Sequence, residues 1–260
     1  MKVKVLILYG YGINCDRETA RGFELAGAAA ERVHLEQLIS GEKKLKEYQI
    51  LALPGGFSFG DDLGAGKVLA VKIRAHLINE LLEFIEEGKL FIGICNGFQV
   101  MVKLGVLPGL DKNYQRQETT LTFNDSGRFE DRWVYLKVNE KSSCVWLKGV
   151  ERLYLPVRHG EGKFIFKDEK VKERVVSQNQ IVAQYVDEKE NLAGYPWNPN
   201  GSELSIAGIC DETGRILGLM PHPEAFLFSE LHPRWTREKI LAGDGLKVFQ
   251  NAVNYVIREM

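Results

Sequence analysis

Leu90-Phe91-Ile92-Gly93-Ile94-Cys95-Asn96-Gly97-Phe98-Gln99 is an apolar run that ends on a cysteine between two glycines. The run reads as a buried strand, and Gly97 to Leu104 behind it as a helix ended by Gly105 and Pro108. A cysteine at that junction, in the pattern G-x-C-x-G, occupies a nucleophile elbow, a strand-to-helix turn too tight for larger flanking side chains. Such a turn lifts Cys95 to the carboxyl edge of a sheet, facing helix N–H groups that favour a thiolate. Read alone, the motif fits a buried structural cysteine equally well.

Working outward, the first 110 residues alternate strand and helix. Val3 to Tyr9 is a buried-strand pattern, Asp16 to Ala26 a helix stopped by Gly27, and Gln49 to Leu53 a second apolar run closed by Pro54-Gly55-Gly56. A long helix is expected over 66–87, where Ile73, Leu77, Leu81, Phe84 and Ile85 make an apolar stripe opposite polar Lys72, His76, Glu80 and Glu83. That stripe is a core face. Beyond residue 110 the spacing predicts short strands at 129–138, 153–157, 163–166, 180–185, 204–210 and 216–220, with one clear helix at 245–258. No Pro-, Gly- or Ser-rich linker separates two parts. The pattern is a single α/β domain, a parallel sheet covered on both faces with an added antiparallel part.

Charge narrows the partners. Lys and Arg number 34 against 35 Asp and Glu, a net charge of -1 with no long run of either sign, so no electrostatic footprint of a nucleic-acid or membrane-surface binder exists. Small molecules or proteins are the expected partners. The chain opens on a strand-like segment without a signal-peptide apolar region, and no stretch suffices for a membrane span, which predicts a cytoplasmic protein. The four cysteines, Cys15, Cys95, Cys144 and Cys210, form no C-x-x-C pair and no zinc spacing, so neither disulfides nor a metal is expected. Asn200-Gly201-Ser202 fits a glycosylation sequon but reads as turn chemistry.

A nucleophile needs a base. His34, His76 and His232 lie in a strand-like stretch, on a polar helix face and in an irregular charged segment, and none is placed for catalysis. His222, in Met220-Pro221-His222-Pro223-Glu224, follows a strand, is held by two prolines and has Glu224 two positions on, pointing the same way if the segment is extended. That is a base with a carboxylate to orient it. His159, in His159-Gly160-Glu161-Gly162, competes for the role, but its glycines suit a binding loop better. Gly56, after the second strand, and Asn96, after the cysteine, could aim two backbone N–H groups at a developing oxyanion.

Pro54-Gly55-Gly56, Gly93-Ile94-Cys95-Asn96-Gly97-Phe98-Gln99 and Pro221-His222-Pro223-Glu224, in this order, resemble the class I (triad) glutamine amidotransferases. Further blocks, Asn14 to Ala20, Pro54 to Asp61, His159 to Gly162 and Asn198 to Ser202, are similar to the branch that serves purine biosynthesis. The resemblance runs from near the N-terminus to residue 224. It implies a flavodoxin-like fold and a single glutamine amidotransferase domain over 1–260.

It also implies roles. Cys95 attacks the side-chain amide of L-glutamine to give a glutamyl thioester, His222 moves the protons, and Glu224 holds His222. Gly56 and Asn96 form the oxyanion hole, while Phe57, Gln99, His159, Gly160 and Glu161 contact the substrate. Ammonia then passes to a synthetase that holds ATP, magnesium and formylglycinamide ribonucleotide. This chain has no P-loop and no length for a second ATP-binding domain, so that synthetase is expected on a separate polypeptide, with a small third subunit and no cofactor on this chain. Cys15 is a landmark of the resemblance without a derived role, expected to pack near the site or at the partner surface.

Two departures stand out. Gly64 occupies a place where the resemblance leads one to expect an arginine nearby. The segment 225–243, with Phe226, Phe228, Trp235, Arg234 and Arg237, is longer than expected and is either a docking element or a self-packed lid. Rival readings are a stand-alone cysteine hydrolase of the same fold, a γ-glutamyl hydrolase or a DJ-1-like protein, and a glutaminase serving another product. The DJ-1-like group usually has histidine after the cysteine, where this chain has Asn96. A non-catalytic binding module would be expected to lack Cys95, His222 or Glu224.

Overall fold

Leu219 at the end of one strand lies level with Ile94 at the end of its neighbour, and that pairing fixes where the chemistry sits. The computed structural model describes residues 2–260. In chain order the strands are β1 (Lys4–Tyr9), β2 (Ala29–His34), β3 (Ile50–Leu53), β4 (Leu90–Ile94), β5 (Thr119–Thr122), β6 (Glu130–Val138), β7 (Arg152–His159), β8 (Lys163–Phe166), β9 (Ile181–Val186), β10 (Ile206–Cys210) and β11 (Ile216–Leu219). The helices are α1 (Asp16–Leu25), α2 (Leu35–Ile39), α3 (Lys67–His76), α4 (Ile78–Glu86), α5 (Asn96–Leu104), α6 (Glu169–Ser177) and α7 (Leu246–Glu259).

Nine strands form one sheet in the order β2-β1-β3-β4-β11-β10-β9-β6-β7, and β5 pairs with β8 in a separate small ribbon. The ladders from β2 to β11 are parallel. Those from β11 to β7 are antiparallel. β3, β4 and β11 are buried along their whole length, which their unbroken Leu, Ile and Phe runs require of strands covered on both faces.

The chain moves from β1 outward to β2, then back past β1 to β3. Right-handed crossovers therefore send the helices before and after that reversal to opposite faces. Phe23 of α1 packs on Phe249 of α7, ring centroids 4.9 Å apart, in one layer. The stripe Ile73, Leu77, Leu81, Phe84 and Ile85 is buried in the other. In such a sheet the crevice for a ligand opens at the carboxyl ends of the strands, beside the reversal.

Four features differ from the sequence expectation. The single helix over 66–87 is two helices, because Leu77 leaves helical geometry (φ -126°, ψ 2°). Its N–H still donates to Ile73 O at 2.8 Å and its own carbonyl accepts from Leu81 at 2.9 Å, so the apolar stripe runs through the break and periodicity does not register it. Helix α6 is absent from the expectation because only Val171 and Val175 of its nine residues are buried. Its start is fixed by Asp168, whose carboxylate accepts from the Val171 N–H at 3.0 Å. The ribbon strand β5, with alternate residues only half buried, is the third, and the five-residue helix α2, directly behind the stretch read as strand-like, is the fourth.

Candidate active site

Cys95 adopts φ 51°, ψ -105°, a backbone that side chains rarely accept, and is the residue at which β4 turns into α5. Two contacts over-determine that turn. The Cys95 N–H donates to Leu219 O of β11 at 2.8 Å, which ties the elbow to the neighbouring strand. A Cβ on Gly97 would collide with the Leu53 carbonyl at the end of β3, so only glycine lets the helix start this close to the sheet. The thiol is buried and points its S–H at Arg158 O, 3.6 Å away.

His222 arrives from the same edge. β11 ends level with β4, Met220 N–H donates to Ala207 O at 2.9 Å, and His222 N–H donates to Pro156 O of β7 at 2.9 Å. The imidazole is 2 % exposed; its Nδ1 lies 2.6 Å from Glu224 Oε1, and its Nε2 has no hydrogen-bond partner among the described residues. Burial of the ring opposes its protonation. Burial is the largest single influence, but the Glu224 carboxylate, Cys95 and Cys15 together outweigh it, and the His222 pKa is raised well above its ordinary value. The structure thus brings Cys95, His222 and Glu224 together as the sequence predicts.

Gly55 and Gly56 complete the edge from β3. The imidazole of His222 lies against Gly55, where a Cβ would stand 2.7 Å from its Cε1. Phe57 N–H donates to Gly12 O and Asn14 N–H to Gly55 O, so Ile13 and Gly56 form a bridge pair whose own N–H groups are not used in it. The Asn96 N–H is at the first position of α5, where no intrahelical acceptor exists. Both donors therefore remain free beside Cys95.

The Asn96 side chain was not singled out by the sequence, and it ties three groups of the site together. Its Oδ1 accepts from Ser58 N–H at 3.2 Å, and its Nδ2 donates to Asp61 Oδ1 at 3.1 Å and to Gln99 Oε1 at 2.9 Å. Asp61 Oδ1 also accepts from Gly66 N–H, 3.1 Å, and burial, before its other neighbours, pushes its carboxyl pKa up. Gln99 Nε2 donates to Glu161 O, and Glu161 Oε1 accepts from Ala65 N–H at 3.2 Å. The loop 57–66 is thereby laced to the nucleophile's helix and to the 159–162 loop.

His159 is not a second base. Its Nδ1 lies 3.1 Å from Asn124 Oδ1 and its Nε2 3.5 Å from Asn200 Nδ2. Burial, with the nearby His222 adding to it, pushes its pKa down to about 3, so the ring is neutral. Asn200 also accepts from Ser202, which makes the Asn198 to Ser202 block a support for this histidine. His34 caps α2, His76 lies on α3, and His232 is buried among Trp133, Tyr154 and Phe226.

A cavity of about 150 Å³ opens on Cys95, lined by Gly56, Phe57, Gln99, His159, Gly160 and Glu161, with Phe123 and Phe129 at its mouth. The sequence pointed to the first six of these and missed the two aromatics. A larger groove of about 820 Å³ runs between residues 138–151 and α7 and contains none of the triad. Cys15 is also in the site. Its Sγ, a His222 nitrogen and a Glu224 oxygen lie within 4.8 Å of one another. All four cysteines are free. In the 225–243 segment, Phe226, Leu227 and His232 are buried, whereas Trp235 is 53 % and Leu241 86 % exposed, so one half packs on the protein and the tip does not. Gly64 has open space around it.

The profile of the CobB/CobQ-like glutamine amidotransferase domain matches residues 2–256. A protein of Dehalococcoides mccartyi named phosphoribosylformylglycinamidine synthase subunit PurQ is 52% identical over 98% of both chains, and one of the same name from Methanococcus maripaludis is 47% identical over 97% of both. A chain in the structure of PurLQS from Thermotoga maritima superposes with TM-score 0.73 at 33% identity, covering 98% of this chain and 100% of that one. The chain belongs to the CobB/CobQ-like glutamine amidotransferases and, within them, to the PurQ family.

Proposed function

We propose that this chain is the glutaminase subunit of phosphoribosylformylglycinamidine synthase. The observation that carries the chemistry is the strained elbow at Cys95 beside a buried imidazole whose Nδ1 is held by Glu224 and whose Nε2 is free. Glutamine binds with its side-chain amide over Cys95. The thiolate attacks the amide carbon, and the oxyanion is met by the Gly56 and Asn96 N–H groups, which need no reorganisation when the charge develops. His222 gives its proton to the departing nitrogen, ammonia leaves, and a glutamyl thioester remains. His222 then takes a proton from water as its oxygen attacks the thioester, and glutamate is released. Glu224 keeps the imidazole in the required orientation throughout.

The ammonia is delivered to a synthetase subunit on a separate chain, which uses ATP and magnesium to convert formylglycinamide ribonucleotide to formylglycinamidine ribonucleotide. The PurQ names of the relatives and the PurLQS neighbour support that partner. We extend the reading to a small third subunit, to a chain that carries no cofactor, and to the cytoplasm, where ATP and the nucleotide reside. No helix among the described residues is long and apolar enough to cross a membrane.

Glutamate release from glutamine, by this chain alone and then with the synthetase, ATP and formylglycinamide ribonucleotide, tests the reading against a Cys95→Ala control. Release that rises with the loaded partner and vanishes in the control is the expected result. Release that survives Cys95→Ala removes the proposed nucleophile.

A further inference from the structure

The catalytic scheme leaves Cys15 unused, although its sulfur sits inside the triad. Cys15 begins α1 on the loop that follows β1, and its N–H and that of Asn14 both donate to Gly55 O, at 3.2 and 3.3 Å. The sulfur is therefore fixed to the backbone on which the His222 ring rests. Its S–H has one weak acceptor, Asn14 Oδ1 at 3.3 Å. Beside it, His222 and Glu224 are each 2 % exposed and each retains an unpartnered atom, Nε2 and Oε2.

We propose that Cys15, His222 and Glu224 form a binding site for a thiophilic divalent cation, Zn²⁺ by chemistry, whose occupancy switches the glutaminase off. A sulfur, an imidazole nitrogen and a carboxylate oxygen within 4.8 Å of one another supply three different ligand types around one point. Metal–ligand distances of about 2.0–2.3 Å in a tetrahedral site put ligand atoms roughly 3.3–3.8 Å apart, so closing the site needs a contraction of about 1–1.5 Å at its widest pair. The donor set selects the metal. Thiolate and imidazole favour zinc over magnesium or calcium, which demand more oxygen ligands. Charge balances too: one thiolate and one carboxylate neutralise the dication in a place with little water.

As the metal binds, the Cys15 S–H proton and the proton that His222 carries as an imidazolium both leave to solvent. The imidazole contributes a nitrogen lone pair in its neutral form, and Glu224 binds as the anion; no oxidation state changes. An imidazole held in its neutral form is no longer the cation that protonates a departing amine, and its carboxylate is drawn away from the orienting role. Cys95 or water takes the fourth position.

The metal-binding half is independent of the function proposed above, whereas the inhibition half rests on it, and two measurements separate them. In the Cys95→Ala chain, titration with Cd²⁺ is expected to give one thiolate-to-metal charge-transfer absorbance at one equivalent. That signal is expected to be lost in Cys15→Ser/Cys95→Ala. Absence of the band in Cys95→Ala, or its persistence in the double variant, overturns the site. In the active complex, Zn²⁺ inhibits and a chelator restores turnover. With the zinc-free turnover of each chain as its own reference, Cys15→Ser needs at least about tenfold more free Zn²⁺ for half inhibition, the loss expected for about 1.4 kcal/mol of binding. Equal Zn²⁺ sensitivity of Cys15→Ser and the native chain overturns the switch.

Discussion

The imidazole of His222 rests on the bare face of Gly55: a methyl group there would stand 2.7 Å from its Cε1. The base is therefore positioned from two sides, by Glu224 through Nδ1 and by the backbone after β3 through contact. Gly55→Ala forces the ring to move because the Gly55 backbone is itself held, its carbonyl accepting from the Asn14 and Cys15 N–H groups. A displacement of about 1 Å at a catalytic group lowers turnover roughly 10²-fold. The expected outcome is that loss in glutaminase kcat, with little change in melting temperature; native turnover in Gly55→Ala would show that the contact has no positioning role.

Glu224 acts on the reaction only through His222, since its Oε1 is 2.6 Å from Nδ1. Glu224→Gln keeps the size and an acceptor oxygen but removes the charge that favours the imidazolium. Steady-state glutamine hydrolysis is expected to show kcat reduced about 10²–10⁴-fold, the range of a lost acid–base function, with KM nearly unchanged. A rise in KM at constant kcat contradicts the assigned role.

The Asn96 side chain fastens the loop 57–66 to α5 by way of Ser58, Asp61 and Gln99. Asn96→Ala leaves the backbone N–H donor chemically intact while releasing the loop. It also strands buried partners, which costs about 1–3 kcal/mol for each group left unsatisfied. A lower melting temperature and a kcat at least about tenfold below native are expected, measured by calorimetry and glutamate release. Destabilisation without a kcat change would make the clamp purely structural.

The sequence made the triad legible because its members sit next to residues with strong local meaning. Gly93 and Gly97 mark the elbow, and Pro221 and Pro223 mark a rigid segment. The parallel half of the sheet was equally plain, since strands buried on both faces leave unbroken runs such as Leu90-Phe91-Ile92. What stayed hidden is what three-dimensional pairing decides. Cys15 and Gly55 meet His222 only because β1, β3 and β11 end at one edge. Asn96 reads as one more elbow residue until Ser58 and Asp61 are folded onto it. His159 resembled a catalytic candidate because sequence does not reveal that Asn124 and Asn200 occupy both ring nitrogens.

That buried neutral histidine gives a pH prediction with a definite sign. The folded-state pKa of His159 is about 3 against 6.5 for the free side chain. Below pH 6.5 the unfolded chain binds a proton that the folded chain refuses, so stability is fully present above that pH and falls as pH drops toward 3. The slope is about 1.4 kcal/mol per pH unit. Denaturant unfolding of native chain and His159→Gln across this window should differ in slope by roughly that amount. Parallel curves would mean that His159 is protonated in the folded state.

The exposed tip of the 225–243 segment tests the partner reading. Phe226 and His232 are buried against Trp133 and Tyr154, so deleting the whole segment would open the protein and confuse folding with docking. Trp235 and Leu241 are exposed, and truncating them leaves the packed half in place. Exposed tryptophans flanked by arginines are over-represented among residues that dominate binding energy, and such a side chain contributes about 2 kcal/mol or more when buried by a partner. Trp235→Ser/Leu241→Ser is therefore expected to keep the native melting temperature and the glutaminase rate of the free chain. Its affinity for the synthetase, by titration calorimetry, should fall at least about tenfold, and partner-stimulated turnover should fall with it at limiting synthetase. Unchanged affinity would assign the tip no part in the interface.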